Sequence, residues 1–259
     1  MGEGCDRDDL ELPGVQRQLV EEVLATGTPV LLVLLTGRPY AVGWALDRCG
    51  AVVQAFFPGE EGAAAIAGVL SGRVNPSGRL PVSLPRSAGA QPYGYLHPPL
   101  GGPGDVTNLD STPARPFGFG LSYTTFRRDE LVVPPSSATA DGLTVAVRVT
   151  NTGDRAGADV VQLYGRDVVA SVTRPVAQLL GYARVELDAG ESRTVELAVP
   201  PARLAFTGRD GARVVEPGEL VVWVGAHCQD REAEATVVLT GPVHAVGDGV
   251  PLTTRVALR

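Results

Sequence analysis

The sequence has no lysine, a single methionine, three cysteines and an aromatic share of only 5%. All 22 basic residues are therefore arginines, and they form no cluster of the kind that a phosphate-binding surface needs. A net charge of −7 further disfavours nucleic acid as a partner. The longest apolar run, residues 29–35, is too short to cross a bilayer, so no membrane partner is expected.

The cysteines, Cys5, Cys49 and Cys228, are odd in number and widely spaced, so no disulfide is implied. Neighbouring His227 and Cys228 could suggest a pair of metal ligands. Two neighbours on a strand point to opposite faces, however, and we expect a surface histidine and a semi-buried cysteine instead. Phosphate loops, dinucleotide fingerprints and the G-x-S-x-G and H-E-x-x-H motifs are all missing, so no cofactor and no metal site is predicted.

The first nine residues are rich in acids, which is the opposite of a signal peptide. A cytoplasmic location is favoured, although secretion stays open because the native N-terminus can lie upstream of Met1.

The first 72 residues alternate between helical and strand patterns. Apolar residues at helical spacing between Val15 and Leu24 predict a helix with Pro13 in its first turn and Gly27 at its end. The aliphatic runs 30–35 and 51–57 predict strands that are covered on both faces. Residues 40–48 predict a short helix and residues 60–70 an alanine-rich one, and this order is typical of a parallel sheet with right-handed crossovers.

The pattern changes after Gly72. Residues 80–84 predict a short strand, and a long stretch rich in glycine and proline follows. From residue 131 the apolar period becomes two, with turn residues between the candidate strands 143–149, 160–164, 193–197 and 220–224. The predicted fold is an α/β domain with a partial parallel sheet (residues 1–95), a linker (96–126) and an all-β, fibronectin type III-like sandwich (127–259).

One acidic residue near the start is a candidate for chemistry. Glu3 lies between Gly2 and Gly4, and flanking glycines let a backbone approach a ligand closely. Arg7 is close enough in sequence to pair with Asp6 and so leave Glu3 free. Taken alone, a solvated terminal acid is the simpler interpretation. A phosphate cradle at the glycine-rich residues 101–104 is disfavoured because they do not separate a strand from a helix.

Several motifs in register resemble glycoside hydrolase family 3. Gly2-Glu3-Gly4 with Asp6-Arg7 is similar to the acid/base loop of that family, and the likeness continues to the end of the chain. The motifs that carry it are Leu12-Pro13-Gly14, Gly37-Arg38-Pro39, Phe57-Pro58-Gly59-Glu60-Glu61-Gly62, Asn75-Pro76-Ser77-Gly78-Arg79-Leu80-Pro81, Pro116-Phe117-Gly118, Gly120-Leu121-Ser122-Tyr123-Thr124, Val160-Val161-Gln162-Leu163-Tyr164, Arg174-Pro175 and Leu179-Leu180-Gly181-Tyr182.

The resemblance implies part of a retaining β-glucosidase or β-xylosidase that removes single sugars from β-linked glucoside or xyloside oligosaccharides. Glu3 matches the general acid/base of the family, whereas nothing matches the barrel domain that carries its aspartate nucleophile. The chain alone is therefore expected to be inactive, with a missing N-terminal barrel domain as a partner. Phe119 and Ala63 stand where the family more often has His or Tyr and a second Gly.

Two other interpretations stay open. The chain could be a non-catalytic carbohydrate-binding or interaction module derived from such an enzyme, or one chain of a split enzyme. Aromatic residues that could stack on a sugar are more consistent with packing: Trp44 and Trp223 are predicted to lie in cores, and Phe117, Phe119 and Tyr123 to pack between domains.

Overall fold

The structure is a computed structural model that describes Gly4, residues 7–89, residues 94–99, Asp105 and residues 108–259. It divides into two compact units. The α/β unit comprises Met1–Val74, Leu80–Gly94 and Gly101–Phe117, and the sandwich unit comprises Asn75–Arg79, Tyr95–Leu100 and Gly118–Arg259. The predicted fold class is thereby confirmed, whereas the domain boundaries 1–95, 96–126 and 127–259 stay a prediction.

The α/β unit alternates helices and strands in the predicted order. The elements of this unit are α1 (Gln16–Ala25), β1 (Leu31–Leu34), α2 (Gly43–Leu46), β2 (Ala51–Gln54) and α3 (Gly62–Leu70). Strands β1 and β2 pair in parallel, with Leu31 opposite Ala51 and Leu34 opposite Gln54.

The end of α1 agrees with the sequence, but its start does not. Gly27 has a φ of 78° and terminates the helix as predicted. Pro13 was expected in the first turn, yet the helix begins only at Gln16. The reason is Gly14, whose φ of 62° places a left-handed residue between Pro13 and the helix.

The prediction that β1 is covered on both faces is wrong for this chain. Leu32 and Leu34 face a small core formed by Leu12, Leu34, Tyr40, Val42 and Ala45. On the opposite face, Leu31 is 56% exposed, and Leu35, the residue after the strand, is 62% exposed. These exposures show that, in the described part of the unit, no second layer covers that face of β1.

The predicted strand at residues 80–84 is also wrong. Only Leu84 pairs, through an isolated bridge to Arg115. Pro81 and Pro85 flank this bridge, and proline is disfavoured inside a ladder.

The sandwich unit is a two-sheet β-sandwich. Its elements are β3 (Phe126–Val132), β4 (Ser136–Ala138), β5 (Leu143–Asn151), β6 (Gly157–Asp167), β7 (Gln178–Leu187), β8 (Ser192–Val199), α4 (Pro201–Leu204), β9 (Phe206–Thr207), β10 (Arg213–Val215), β11 (Gly218–Gly225), β12 (Ala233–Thr240), β13 (His244–Ala245) and β14 (Arg255–Leu258). One sheet has the order β4-β12-β11-β6-β7, the other has the order β14-β8-β5-β3, and a small sheet β13-β10-β9 accompanies them.

The period of two in the sequence predicts the sandwich core correctly. Leu143, Val145, Val147 and Val149 of β5 are all buried, whereas Thr144 and Arg148 between them are exposed. The inward residues of β6, β7, β8 and β11 complete one continuous cluster with them. Within the described residues, no helix has both the length and the apolar character to span a membrane.

Candidate active site

The candidate acid/base Glu3 and its neighbours Gly2, Cys5 and Asp6 lie outside the described residues, as does the glycine-rich segment 101–104. The chain is described again from Arg7, whose guanidinium pairs with Asp9 at 3.1 Å. Asp9 also accepts a hydrogen bond from the backbone N–H of Glu11 at 3.0 Å. Arg7 therefore already has an acidic partner other than the predicted Asp6, and Asp9 fixes a turn just before the first helix.

This turn is attached to the loop that follows β1. The backbone N–H of Ala41 donates to the carbonyl of Leu10 at 2.8 Å. Nearby, Nη1 of Arg38 donates to the carbonyl of Arg7 at 3.4 Å. The segment that follows Glu3 thus lies against the carboxyl end of β1, which is where open parallel sheets bind their ligands.

The loops after β1 and β2 are joined by side chains. Nε2 of Gln54, the last residue of β2, donates to the hydroxyl of Thr36 at 2.9 Å. That hydroxyl donates to the carbonyl of Arg38 at 2.7 Å, which shapes the Gly37-Arg38-Pro39 motif. The same carboxyl edge therefore holds the family-like motif and the chain leading away from Glu3.

The loop after β2 is unusual in its backbone. Phe56 has a φ of 53°, a left-handed conformation that is rare for a bulky residue and costs roughly 1–3 kcal/mol. Phe57 follows with 71% of its surface exposed. In the sequence, Phe57 is visible only as the last residue of the apolar run 51–57 and the first residue of the family-like motif 57–62, and no role was assigned to it.

A second group of motifs meets in the sandwich unit. Oδ1 of Asn75 accepts hydrogen bonds from the hydroxyl of Ser122 at 2.9 Å and the N–H of Tyr123 at 2.7 Å. Its Nδ2 donates to the carbonyl of Ala156 at 3.0 Å. The Asn75 to Pro81 motif and the Gly120 to Thr124 motif, far apart in sequence, are therefore parts of one contact.

The same segment ends in a buried ion-pair network. Asp159 is completely buried and pairs with Arg79 at 3.1 Å and, through two oxygens, with Arg128. Arg128 also pairs with Glu232 at 2.9 Å. Burial lowers the pKa of Arg79, against the opposing effect of Asp159. Burial also disfavours the charge of Arg128, but Asp159 and Glu232 outweigh it and raise its pKa.

Sequence reasoning missed Asp159, Arg128 and Glu232. A signal was present, because a single acid in the otherwise apolar start of β6 requires a buried cationic partner. Nothing in the sequence says which arginine that is. The network gives the Asn75 to Pro81 motif a structural role within the sandwich unit.

The contact between Gly118 and Gln162 explains why the Pro116-Phe117-Gly118 motif ends in a glycine. Nε2 of Gln162 donates to the carbonyls of Gly118 at 3.1 Å and Ala226 at 2.9 Å, and its Oε1 accepts the Tyr164 hydroxyl at 2.6 Å. A Cβ on Gly118, which has a φ of 85°, would come within 2.1 Å of Gln162. Burial raises the pKa of the Tyr164 phenol, which keeps that phenol neutral and able to donate.

The two tryptophans follow the packing interpretation, whereas the packing of Phe117, Phe119 and Tyr123 between domains stays a prediction. Trp223 is fully buried and stacks on Tyr164, and Trp44 packs against the α/β core, so both core predictions are confirmed. Phe119 lies 5.9 Å from the ring of His227. Arg155 lies 5.4 Å from the ring of Tyr123.

His227 and Cys228 differ from the expectation both in their secondary structure and in their burial. They lie in a turn after β11, not on a strand, and His227 is half-buried, with its pKa lowered by that burial. Cys228 is buried. The described ranges contain no group of three or more His, Cys, Asp or Glu side chains that could hold a metal ion.

Comparison with known proteins agrees with these motifs. Residues 1–123 match the model of the glycosyl hydrolase family 3 C-terminal domain, and residues 159–228 match that of a fibronectin type III-like domain. A β-xylosidase of Formosa agariphila is 42% identical over 92% of this chain and 34% of its own length.

Two solved structures show the same fold. A β-glucosidase from Erythrobacter marinus has a TM-score of 0.85 at 44% identity, over 91% of this chain and 31% of its own. A D270A variant of the β-glucosidase of Listeria innocua, in complex with laminaribiose, has a TM-score of 0.86 at 33% identity, over 93% and 35% of the two chains. The present chain thus spans about a third of the length of each of these relatives. On the motifs, the fold and these matches together, the chain belongs to glycoside hydrolase family 3, as its C-terminal α/β domain followed by a fibronectin type III-like domain.

Proposed function

We propose that this chain supplies the general acid/base, Glu3, of a retaining exo-β-glycosidase acting on β-glucosides or β-xylosides. The observation that carries the proposal is the identity of 42% to a β-xylosidase over 92% of the chain, with Glu3 in the segment that resembles the acid/base loop of the family. The attachment of the following residues, Arg7 to Leu10, to the carboxyl edge of the parallel sheet supports it.

Retaining hydrolysis needs two carboxyl groups about 5 to 5.5 Å apart on the two sides of the scissile bond. The nucleophile attacks the anomeric carbon, and the acid gives its proton to the departing oxygen. The same group, now a carboxylate, then removes a proton from water as the water attacks the glycosyl-enzyme intermediate. Glu3 takes the acid/base part in this scheme.

The aspartate nucleophile is proposed to lie on a barrel domain outside these 259 residues. The chain spans about a third of its relatives, which leaves ample length for such a domain in a protein of their size. Fusion and simple mixing of the two parts distinguish a barrel on the same polypeptide from one on a separate chain. A cytoplasmic location remains part of the proposal.

The direct test combines this chain with the part of the Formosa agariphila β-xylosidase that it does not match, either fused in front of Met1 or mixed as a separate chain. Release of 4-nitrophenol from β-D-glucoside and β-D-xyloside substrates measures activity. We expect the chain alone to be inactive and the combination to be active, with a loss of about 10²- to 10⁴-fold in Glu3→Gln. Asp8→Asn, an exposed acid in the same segment, is the matched control and should keep full activity.

Other outcomes decide between the alternatives. Activity that survives Glu3→Gln would remove Glu3 from the mechanism. Sugar binding by the chain alone that survives Glu3→Gln, with no activity in any combination, would favour a non-catalytic carbohydrate-binding module. Activity on simple mixing would favour a two-chain enzyme.

A further inference from the structure

The loop after β2 combines a strained backbone with an exposed aromatic ring. Of the described non-glycine residues, Phe56 and Glu130 are the two with a positive φ. A strained conformation at a bulky residue persists only where its surroundings enforce it, and such residues concentrate at ligand sites. Here the strain falls directly before Phe57, which is 71% exposed.

The residues after Phe57 form a tight turn behind it. The N–H of Gly62 donates to the carbonyl of Gly59 at 3.2 Å, and Gly59 has a φ of 74°. The ring of Pro58 fills the space beside Gly62 so closely that a Cβ there would lie within 2.5 Å of it. The backbone of Phe57 therefore lies between the strained Phe56 and a tight, closely packed turn. An exposed ring on such a backbone loses little entropy when it binds a ligand.

The position of Phe57 relates it to the proposed chemistry. The N–H of Ala55 donates to the carbonyl of Leu34 at 3.0 Å, so the β2 chain follows β1 to its carboxyl end before Phe56 and Phe57 turn outward. Thr36 and Arg38 of the neighbouring loop lie at the same edge, and Arg38 contacts the carbonyl of Arg7, four residues after Glu3.

We propose that Phe57 is a sugar-binding platform on the leaving-group side of the bond that is cleaved, and this rests on the assignment of Glu3 as acid/base. An acid that protonates the departing oxygen must lie beside the leaving group, and Arg7, four residues after Glu3, contacts the loop at the edge where Phe57 emerges. A flat apolar ring accepts the C–H face of a neutral pyranose. The ligand class is therefore a neutral β-linked glucose or xylose unit.

The protein offers a direct probe, because it contains six phenylalanines. Uniform labelling with 4-fluorophenylalanine gives one ¹⁹F NMR signal for each phenylalanine. The signal that disappears in Phe57→Leu belongs to Phe57. We expect laminaribiose and xylobiose to shift the Phe57 signal with saturation, at a dissociation constant on the order of 10 mM, since a single platform binds weakly. The signals of Phe117, Phe119, Phe126 and Phe206 should stay in place.

Two controls make the test decisive. Leu31→Ala, an exposed apolar residue at the amino end of β1, should leave the shift unchanged. The activity of Glu3→Gln, measured separately in the combination with a barrel domain, tests the acid/base assignment, so that a failure of that assignment and a failure of the platform are seen separately. A Phe57 signal that does not move at saturating disaccharide, or that moves equally with the acyclic polyol mannitol, would overturn the proposal.

Discussion

The two units of the chain bury apolar side chains to different extents. In the sandwich unit, inward residues of both sheets form one continuous core, and several of them, such as Val147, Leu163 and Val222, are completely buried. In the α/β unit, helix α1 has no buried residue, and its apolar side chains Val15 and Leu19 are 73% and 63% exposed. Each unit is rich in aliphatic residues, so composition does not explain the difference.

The number of layers explains it. The sandwich places two sheets face to face, so every inward residue meets a partner, and each buried Å² of apolar surface contributes about 25 cal/mol. Within the residues that the structure describes, the sheet of the α/β unit has two strands, and two strands alone are marginally stable in water. The difference teaches that the sandwich unit has a complete core of its own, whereas the α/β unit leaves apolar side chains such as Val15 and Leu19 exposed.

The largest effect is expected at the ion-pair network of the sandwich unit. Asp159→Asn removes the charge that neutralises two buried arginines, which typically costs about 3 to 5 kcal/mol. Urea unfolding followed by circular dichroism measures it. Glu186→Gln, which breaks the exposed pair with Arg184, is the control and should change nothing measurable. If both variants unfold alike, the network does not stabilise the sandwich.

The comparison between the units is sharpened by two matched leucines. Leu197→Ala in the sandwich core should cost about 2 to 5 kcal/mol, because Leu197 is fully buried and its removal leaves a cavity. Leu19→Ala on α1 should cost less than about 0.5 kcal/mol, because that side chain is mostly in water already. Urea unfolding, followed by amide hydrogen exchange in each unit, measures both. A large cost for Leu19→Ala would mean that α1 is covered, and the contrast between the units would fail.

The smallest effect concerns a turn of the sandwich. The N–H of Asp188 and the guanidinium of Arg193 both bind Glu191 and lower its pKa. Since a lowered carboxyl pKa stabilises the folded state above the unfolded pKa, the contribution is present at pH 7 and is lost as the pH falls through the folded pKa. Glu191→Gln should therefore lower the Tm slightly at pH 7 and not at acidic pH, in melting curves with Glu219→Gln as control. A difference in Tm that persists in acid would contradict this.

The sequence predicts the sandwich better than the α/β unit for a physical reason. A period of two reports burial on one face, so Leu143 to Val149 identify β5 directly. A continuous aliphatic run such as residues 30–35 cannot say which face is covered, because that depends on neighbours elsewhere in the fold. The short strand expected at residues 80–84 failed because two prolines outweigh the apolar pattern.

Residues of the candidate site were predictable only in part. The motif around Glu3 is visible in sequence, but its role depends on a resemblance and not on residue spacing. The partnership of Arg79, Arg128 and Asp159 joins three distant segments, and no local pattern reveals it. The strain at Phe56 is likewise invisible in sequence, because phenylalanine at the end of a strand normally adopts an extended backbone.

The most direct measurement of the proposed role of Glu3 compares two leaving groups in the combination with a barrel domain. 2,4-Dinitrophenolate is a stable anion that departs without being protonated, whereas an alkoxide leaving group must be protonated as it departs. We predict that Glu3→Gln slows the cleavage of a methyl β-glucoside by about 10²- to 10⁴-fold. Formation of the glycosyl-enzyme from the 2,4-dinitrophenyl β-glucoside should be nearly unchanged. Equal losses on both substrates would contradict the assignment of Glu3 as the general acid/base.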